Sequence, residues 1–441
     1  MTDSSHKTPL AAVSIPAFRN FIAGRFLFIM SLRMMGTLVG WWIYELTGDP
    51  LALGFIGLSE VVPAVSLALF AGHVVDLSDR KKMIVRSTLA YIVCLLVLSG
   101  IYFLSNIHLS GKVLTISVIF IVIFFTGVIR SFSGPSFGAS IGQMVPAELL
   151  SNAATWSQGS WLMASVIGHA SVGFMIAFLG MQTALLIILS ICIISLIIFH
   201  QLPSMPPPPA AEAKTWERVK EGIRFVWQTK TLLAAMTLDL FAILLGGAVA
   251  MLPVFAKDIL KVGPVGFGWL NAASDIGSIF IVTILMILPL SRNQGKILIL
   301  SVFGFGASIV LFGLSAYYWL SLIALAVSGA VDNISVVIRH VLVQMKTPDG
   351  LRGRTTAVNS VFIECSNELG AFESGLVAAW FGPVVSVVSG GFGTLGVVAI
   401  VAVLFPALRR MRRLVESRDE MRKDVREAEF EEEEHRRLGP E

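Results

Sequence analysis

Residues 182–201 read QTALLIILSICIISLIIFHQ and contain no Asp, Glu, Lys or Arg. About 20 apolar residues is the length of helix that crosses the roughly 30 Å hydrocarbon core of a bilayer. Water is absent from that core, so a spanning segment must satisfy its backbone hydrogen bonds internally, as an α-helix does. The stretch therefore predicts a transmembrane helix.

Runs of the same kind recur along the whole chain of 441 residues, which is 55% apolar and only 14% charged. A soluble protein of this size needs more charge to cover its surface, and the short alternating segments of a membrane β-barrel are not visible. We expect an all-α integral membrane protein whose transmembrane helices form two pseudo-symmetric six-helix bundles. The twelve predicted spans lie at 21–46, 51–71, 83–104, 113–143, 152–178, 182–201, 231–256, 264–290, 296–316, 319–344, 354–380 and 383–406.

Basic residues concentrate in alternate loops, and Lys and Arg in short loops mark the cytoplasmic side of a membrane protein. The loop after the second span is rich in them at residues 80–86, whereas the opposite set holds little beyond Lys112, Lys257 and Lys261. Both termini are therefore expected to be cytoplasmic. The polar N-terminus lacks a signal-peptide pattern, so we expect the first span to be retained.

The sequence predicts four parts. An N-terminal bundle (1–201) is followed by a cytoplasmic linker (202–230), in which an amphipathic helix comes after four prolines at 206–209. A C-terminal bundle (231–406) precedes a charged tail (407–441). In the tail, a solvated helix with internal ion pairs is preferred over a coiled-coil contact with a partner.

A faint internal repeat relates the two halves. Gln143-Met144 matches Gln344-Met345, and after one inserted residue Gly168 and Gly173 match Gly370 and Gly375. Two copies of a six-span unit point to a transporter with its site at the interface between the repeats.

Acidic residues inside the spans are the main candidates for function, because a charge at the bilayer centre costs roughly 2.5–3.5 kcal/mol on insertion scales. Glu364 and Glu368 lie four residues apart on one helix face, where mutual repulsion favours the uptake of a proton. The alternative for each acid is a purely structural ion pair. The proton-coupling candidates are Glu60, Asp239, Asp275, Asp332, Glu364 and Glu368.

Polar and basic residues on the same spans are candidates for substrate binding or charge pairing. For Arg33, a pair with Glu60 on the adjacent span is preferred over contact with an anionic substrate. Trp156 and Trp161 are preferred as packing residues over a lining for an aromatic substrate. The binding or pairing candidates are Arg33, Asn271, Asn333, Asn367 and Arg339.

The loop GHVVDLSDRKK at residues 72–82 resembles the signature loop of the major facilitator superfamily. Gly72, Asp76, Arg80 and Lys81 fit that pattern, whereas Leu77 and Asp79 stand where a basic residue and a glycine are usual. The glycine is expected to let two helices approach closely. Asp76 is expected to accept hydrogen bonds from a helix N-terminus, and the two basic side chains are expected to anchor the loop at headgroups. The superfamily often carries an Arg at the position of Arg130. The expected residues of conformational gating are therefore Gly72, Asp76, Arg80, Lys81 and Arg130.

Further stretches resemble one branch of the superfamily, which contains enterobactin-type siderophore exporters and macrolide efflux pumps. They include LTGDPLALG at 46–54 and TPDGLRGR at 347–354. The segment 168–173 is similar to an antiporter motif, with His169 at the position of its usual Pro. The resemblance implies proton-coupled efflux of siderophore-like or drug-like amphipathic molecules by alternating access. It also implies that the protein is a monomer. Its expected location is the plasma membrane, which is the inner membrane of a bacterium, where it contacts lipid.

Signatures of other classes are missing from the sequence. No GxxxxGK[ST] loop for ATP occurs, and the three cysteines show no metal-ligand or disulfide spacing. We therefore expect neither an enzyme nor a cofactor, metal or nucleic-acid partner. Two alternatives stay open: a lipid or lysophospholipid flippase on the same scaffold, and a non-transporting membrane protein that recruits a partner through its tail.

Overall fold

The computed structural model describes residues 9–207, 215–288, 293–348, 351–406 and 408. Most of the predicted tail and two of the four linker prolines, Pro208 and Pro209, lie outside these ranges. The first half contains α1 (Pro16–Thr47), α2 (Pro50–Asp76), α3 (Arg80–Asn106), α4 (Lys112–Met144), α5 (Leu150–Leu179) and α6 (Met181–His200). The second half contains α7 (Thr215–Gln228), α8 (Lys230–Leu245), α9 (Leu252–Val254), α10 (Gly263–Ile287), α11 (Gln294–Leu314), α12 (Tyr318–Lys346), α13 (Arg352–Phe381) and α14 (Pro383–Leu404).

Eleven helices of the described chain are long and apolar enough to cross a membrane, with α8 and its extension to Ile259 counted as one. The twelfth span is α13, whose 30 residues carry Glu364, Glu368 and Glu373. It packs against α2, α8 and α14, so neighbouring helices rather than lipid surround much of its polar surface. The prediction of twelve transmembrane helices is confirmed.

The seventh span differs from the continuous helix predicted over 231–256. Helix α8 ends at Leu245, and the chain continues as a 3₁₀ turn (Ala248–Met251), α9 and a π turn (Phe255–Ile259). The break falls at Gly246-Gly247, where a Cβ on Gly247 would lie 2.5 Å from the Gly370 carbonyl oxygen of α13. Close approach of α13 thus requires glycine here, and glycine disfavours continuation of the helix.

The two halves repeat one packing pattern. In the first, α1 packs on α5 and α6, α2 on α4, and α3 on α4 and α6. In the second, α8 packs on α13 and α14, α10 on α12, and α11 on α12 and α14. Each contact therefore has a counterpart when α1–α6 are matched in order to α8 and α10–α14, which makes the bundles pseudo-symmetric.

Glycines of the predicted repeat occupy equivalent packing positions. Gly173 of α5 meets Gly268 of α10, and a Cβ built on it would lie 3.1 Å from the Gly268 Cα. Gly375 of α13 meets Gly54 of α2, and its Cβ would lie 2.6 Å from the Gly54 Cα. Small residues at these points let helices of different bundles touch at their backbones. The pairs α5–α10 and α2–α13 form the main contacts between the bundles.

These contacts concentrate toward one membrane face, which holds the α1–α2 loop and is called the α1–α2 face. The opposite face, with the loop Leu77–Asp79, is called the α2–α3 face. Close to the α1–α2 face, the Tyr44 hydroxyl donates a hydrogen bond to the Asp258 carboxylate. The rings of Trp41 and Phe267 lie 5.4 Å apart there. The two bundles are thus sealed together at the α1–α2 face.

Asp79, at the position where the signature loop usually has glycine, ties two chain segments together. It caps α3 by accepting from the Lys82 backbone N–H, and it also accepts from the Met205 N–H and the Ser204 hydroxyl. Burial raises the pKa of this carboxyl, but the hydrogen bonds lower it further, so its pKa lies below the ordinary value. The ionised side chain therefore holds the segment after α6 against the α2–α3 loop.

Candidate functional site

The central charged cluster consists of Arg130, Glu60 and Glu368, from α4, α2 and α13. The Arg130 Nη1 atom lies 2.6 Å from Glu60 Oε1 and 3.2 Å from Glu368 Oε1. One guanidinium therefore holds two carboxylates, of which Glu60 belongs to the N-terminal bundle and Glu368 to the C-terminal bundle. The cluster bridges the bundles.

Two glycines bring these three helices together. Gly127, one turn before Arg130, faces α2 so closely that a side chain would collide with the Glu60 carbonyl oxygen. A Cβ on Gly57 would lie 2.6 Å from the Glu368 carbonyl oxygen of α13. The close backbone approach places both carboxylates within reach of Arg130.

The cluster is partly accessible. The side chains of Arg130, Glu60 and Glu368 are 33%, 20% and 18% exposed. Ionised groups inside spans face the protein interior or a water-filled space rather than lipid. One positive charge faces two negative charges, and Glu364 lies within electrostatic range of Arg130 and Glu368. This surplus of negative charge favours the binding of a proton or another cation.

The predicted pair between Arg33 and Glu60 is wrong, because Arg130 occupies the Glu60 carboxylate. The Arg33 guanidinium instead lies over the Trp161 ring of α5, 4.8 Å from its centroid. Gly168 permits this approach, since a Cβ there would lie 3.0 Å from the Arg33 Cβ. Trp161 therefore supports Arg33, while Trp156 donates its indole N–H to the Pro9 carbonyl at 2.8 Å.

A second polar network joins α1, α5 and α10 across the bundle interface. The Ser165 hydroxyl donates to Asp275 Oδ2 at 2.5 Å, and His169 Nε2 lies 3.7 Å from the same oxygen. The other ring nitrogen of His169 lies 2.5 Å from Thr37 Oγ1. Asp275 of the C-terminal bundle is thus hydrogen-bonded by Ser165 of the N-terminal bundle, and His169 lies beside it.

A third charged group lies inside the C-terminal bundle. Arg339 Nη1 of α12 is 2.6 Å from Asp239 Oδ2 of α8, and the two side chains are only 3% and 5% exposed. Asp332, on the same helix as Arg339, is half-buried and forms no ion pair within 4 Å among the described residues. The contrast in exposure with the central cluster indicates a structural role for the Asp239–Arg339 pair, although proton coupling at Asp239 stays a prediction.

The predicted asparagines do not join these groups through their amide nitrogens. Asn271 and Asn367 donate to carbonyls one turn back on their own helices, Phe267 and Ile363, each at 2.9 Å. Asn333 is half-buried on α12.

The loop residues fit their expected contacts only in part. A Cβ on Gly72 would meet nothing within 4 Å, so no close helix approach requires glycine there. Arg80 is buried, which contradicts its predicted contact with headgroups, whereas Lys81 is half-buried and Asp76 is exposed. Among the described residues no hydrogen bond reaches the Asp76 carboxylate. Conformational gating by these residues stays a prediction.

A family model described as transmembrane secretion effectors, within the major facilitator superfamily, matches residues 7–439. The chain belongs to this family. Two relatives named enterobactin exporter EntS, from Shigella flexneri and Escherichia coli O81 (strain ED1a), are 26% identical to the transporter over 401 residues. That alignment covers 90% of the transporter and 93% and 94% of the two relatives.

Solved structures share the transporter's fold. The nucleoside transporter NupG superposes with a TM-score of 0.67 at 15% identity, covering 89% of this chain and 99% of NupG. A POT family transporter in complex with 5-aminolevulinic acid gives 0.69 at 10% identity, covering 89% and 96%. Such low identities show the fold alone. The family match and the enterobactin exporter relatives confirm the superfamily resemblance and a multi-pass transporter for efflux of a small molecule, not an enzyme.

Sequence reasoning missed several residues of the transporter's networks. His169 was noted only as a replacement for proline, and Ser165 and Thr37 carry no signal on their own. The glycine contacts did have a signal: PLALG at 50–54 and PVGFG at 264–268 both place glycine four residues after proline at the start of a span. Those glycines, Gly54 and Gly268, are the ones at the bundle contacts.

Proposed function

We propose that the transporter exports an amphipathic, siderophore-like or drug-like molecule across the bacterial inner membrane in exchange for protons, by alternating access. The observation that carries this proposal is the position of Arg130 between one carboxylate of each bundle. If the bundles rock apart at this point, Glu368 leaves both the Arg130 cation and the Glu60 anion, so its affinity for a proton changes with the separation of the bundles. Proton binding is then linked to the orientation of the bundles.

The bundle contacts at the α1–α2 face support the assignment of a conformational state that is closed on the outer side. We place the α2–α3 face and both termini in the cytoplasm, as the basic loops indicate. The contacts at the α1–α2 face then close the outer side. The proposed units are the predicted ones, with bundles at 1–201 and 231–406, a linker at 202–230 and a tail at 407–441, working as a monomer.

The substrate class rests on the relatives, whose name states export of enterobactin. The test uses proteoliposomes loaded with a siderophore or drug panel and an imposed proton gradient. We expect concentrative transport that stops when an uncoupler collapses the gradient, accompanied by proton movement in the opposite direction. Transport of a lipid or lysophospholipid that continues unchanged after collapse would overturn the proposal in favour of a flippase.

Alternating access requires the glycine contacts to form and separate. A Cβ on Gly268 would lie 2.7 Å from the His169 carbonyl oxygen and 3.1 Å from the Gly173 Cα. We expect Gly268→Ala to disfavour the sealed state by about 1–3 kcal/mol, the usual cost of overpacking. Distances between spin labels at the exposed Leu109 and Tyr317, measured after replacement of the three cysteines, should shift toward longer values.

Gly36→Ala is the control, because a Cβ at Gly36 meets nothing within 4 Å. Identical distance distributions for the two alanine variants would show that the α5–α10 contact does not limit opening.

A further inference from the structure

Away from the ends of the spans, the charges left unpaired are divided by sign between the two bundles. Arg25 and Arg33, both on α1, have no acid within 4 Å among the described residues. Asp332 and Glu364, on α12 and α13, likewise have no base within that distance. The exceptions to this division are tied up, since Glu60 pairs with Arg130 and Arg339 pairs with Asp239. The N-terminal bundle thus offers positive charge and the C-terminal bundle offers negative charge.

Both arginines are supported by α5, but only Arg33 keeps accessible hydrogen-bonding capacity. The Arg25 guanidinium donates to the Ser157 carbonyl and hydroxyl, and its Nε is buried. Arg33 rests one flat face on Trp161, and stacking leaves the N–H groups at its edge available. Such an edge recognises a planar anion such as a carboxylate.

Glu364 provides the opposite sign. It lies one turn before Glu368 on α13, and Arg130 is already shared by Glu60 and Glu368. Because Glu364 lies one turn from Glu368, whose carboxylate is 3.2 Å from Arg130, it lies beside the central cluster. Arg33 interacts electrostatically with Glu60 and Glu368 of that cluster and with Asp275. The unpaired cation and the unpaired acid therefore border one region between the bundles.

Resting on the proposed export function, we propose that this region binds a zwitterionic amphiphile. Its anionic group would lie against Arg33, and its cationic group against Glu364. A singly charged molecule would compensate only one of Arg33 and Glu364 and a neutral molecule neither, whereas a zwitterion pairs with both. A zwitterion also contacts both bundles, so its binding favours the conformation that brings them together.

The test measures binding to the full chain in an uncharged detergent, without a proton gradient. Three probes share a naphthylmethyl body and differ only in the head: a carboxymethyl-dimethylammonium betaine, a trimethylammonium cation and a carboxylate. Thermal stabilisation reports affinity. We expect the betaine to bind about tenfold more tightly than either singly charged probe, the factor for about 1.4 kcal/mol. Arg33→Gln should remove the preference over the cation, and Glu364→Gln the preference over the anion.

Arg19→Gln and Glu373→Gln serve as controls, because they neutralise charges nearer the ends of the same two helices. Equal binding of the three probes, or a uniform loss for all three in the Arg33 and Glu364 variants, would overturn the proposal. Competition by lysophosphatidylcholine would identify a lipid as the source of the zwitterion, and failure to compete would identify a soluble metabolite; either supports the class. Because binding needs no gradient, its outcome is independent of the uncoupler experiment.

Discussion

Replacing Glu368 with Gln is expected to reduce proton-driven efflux to the level of vesicles without protein. The amide keeps the size of the side chain and still reaches Arg130, but it neither binds nor releases a proton. The link between the Arg130 pairings and the proton gradient is then lost. The measurement is substrate-induced proton movement in proteoliposomes, together with concentrative transport under an imposed gradient.

Glu373→Gln is the matched control, because Glu373 lies on the same helix but, within the described part of the chain, pairs only with the Ser374 hydroxyl, at 3.5 Å. Exchange of labelled for unlabelled substrate, which needs no net proton transfer, should persist in Glu368→Gln and show that the variant is folded. Undiminished proton-driven efflux by Glu368→Gln would remove the residue from the mechanism.

Replacing Arg339 with Met is expected to destabilise the C-terminal bundle by about 3–5 kcal/mol, the usual cost of removing one partner from a buried ion pair. The Asp239 carboxylate, 5% exposed and 2.6 Å from Arg339, would remain buried without its counter-charge. Asp332 lies in electrostatic range of Asp239 and adds repulsion. Unfolding of the purified protein in detergent, followed by temperature or denaturant, measures the loss.

The double variant Asp239→Leu with Arg339→Met is expected to recover most of that stability, because two apolar residues often replace a buried pair at little cost. Arg19→Gln, at an exposed position, controls for the loss of one positive charge. A single Arg339→Met variant as stable as the parent would show that the pair is not structural. Asp239 would then return to the group of accessible acids.

Much of the architecture was predictable from local properties of the sequence. Apolar runs define spans wherever they exceed the thickness of the bilayer, as in α6. The matches of Gly168 and Gly173 with Gly370 and Gly375 identified the repeat, and in the structure these glycines do occupy equivalent positions. The acids of the central cluster were also foreseen, because charge inside a span is conspicuous.

The partners of those charges were not predictable, and the physical reason is geometric. Which side chains meet depends on how far each helix is rotated and how closely its neighbour approaches, and residues far apart in the chain decide both. Gly127 brings α4 against α2, so Arg130 rather than Arg33 reaches Glu60. Gly168 leaves room for Arg33, which lies on Trp161 instead. The sequence by itself thus determined a two-bundle membrane transporter with buried acids, whereas tertiary packing decided which acids are paired, which are accessible and which charges stay free.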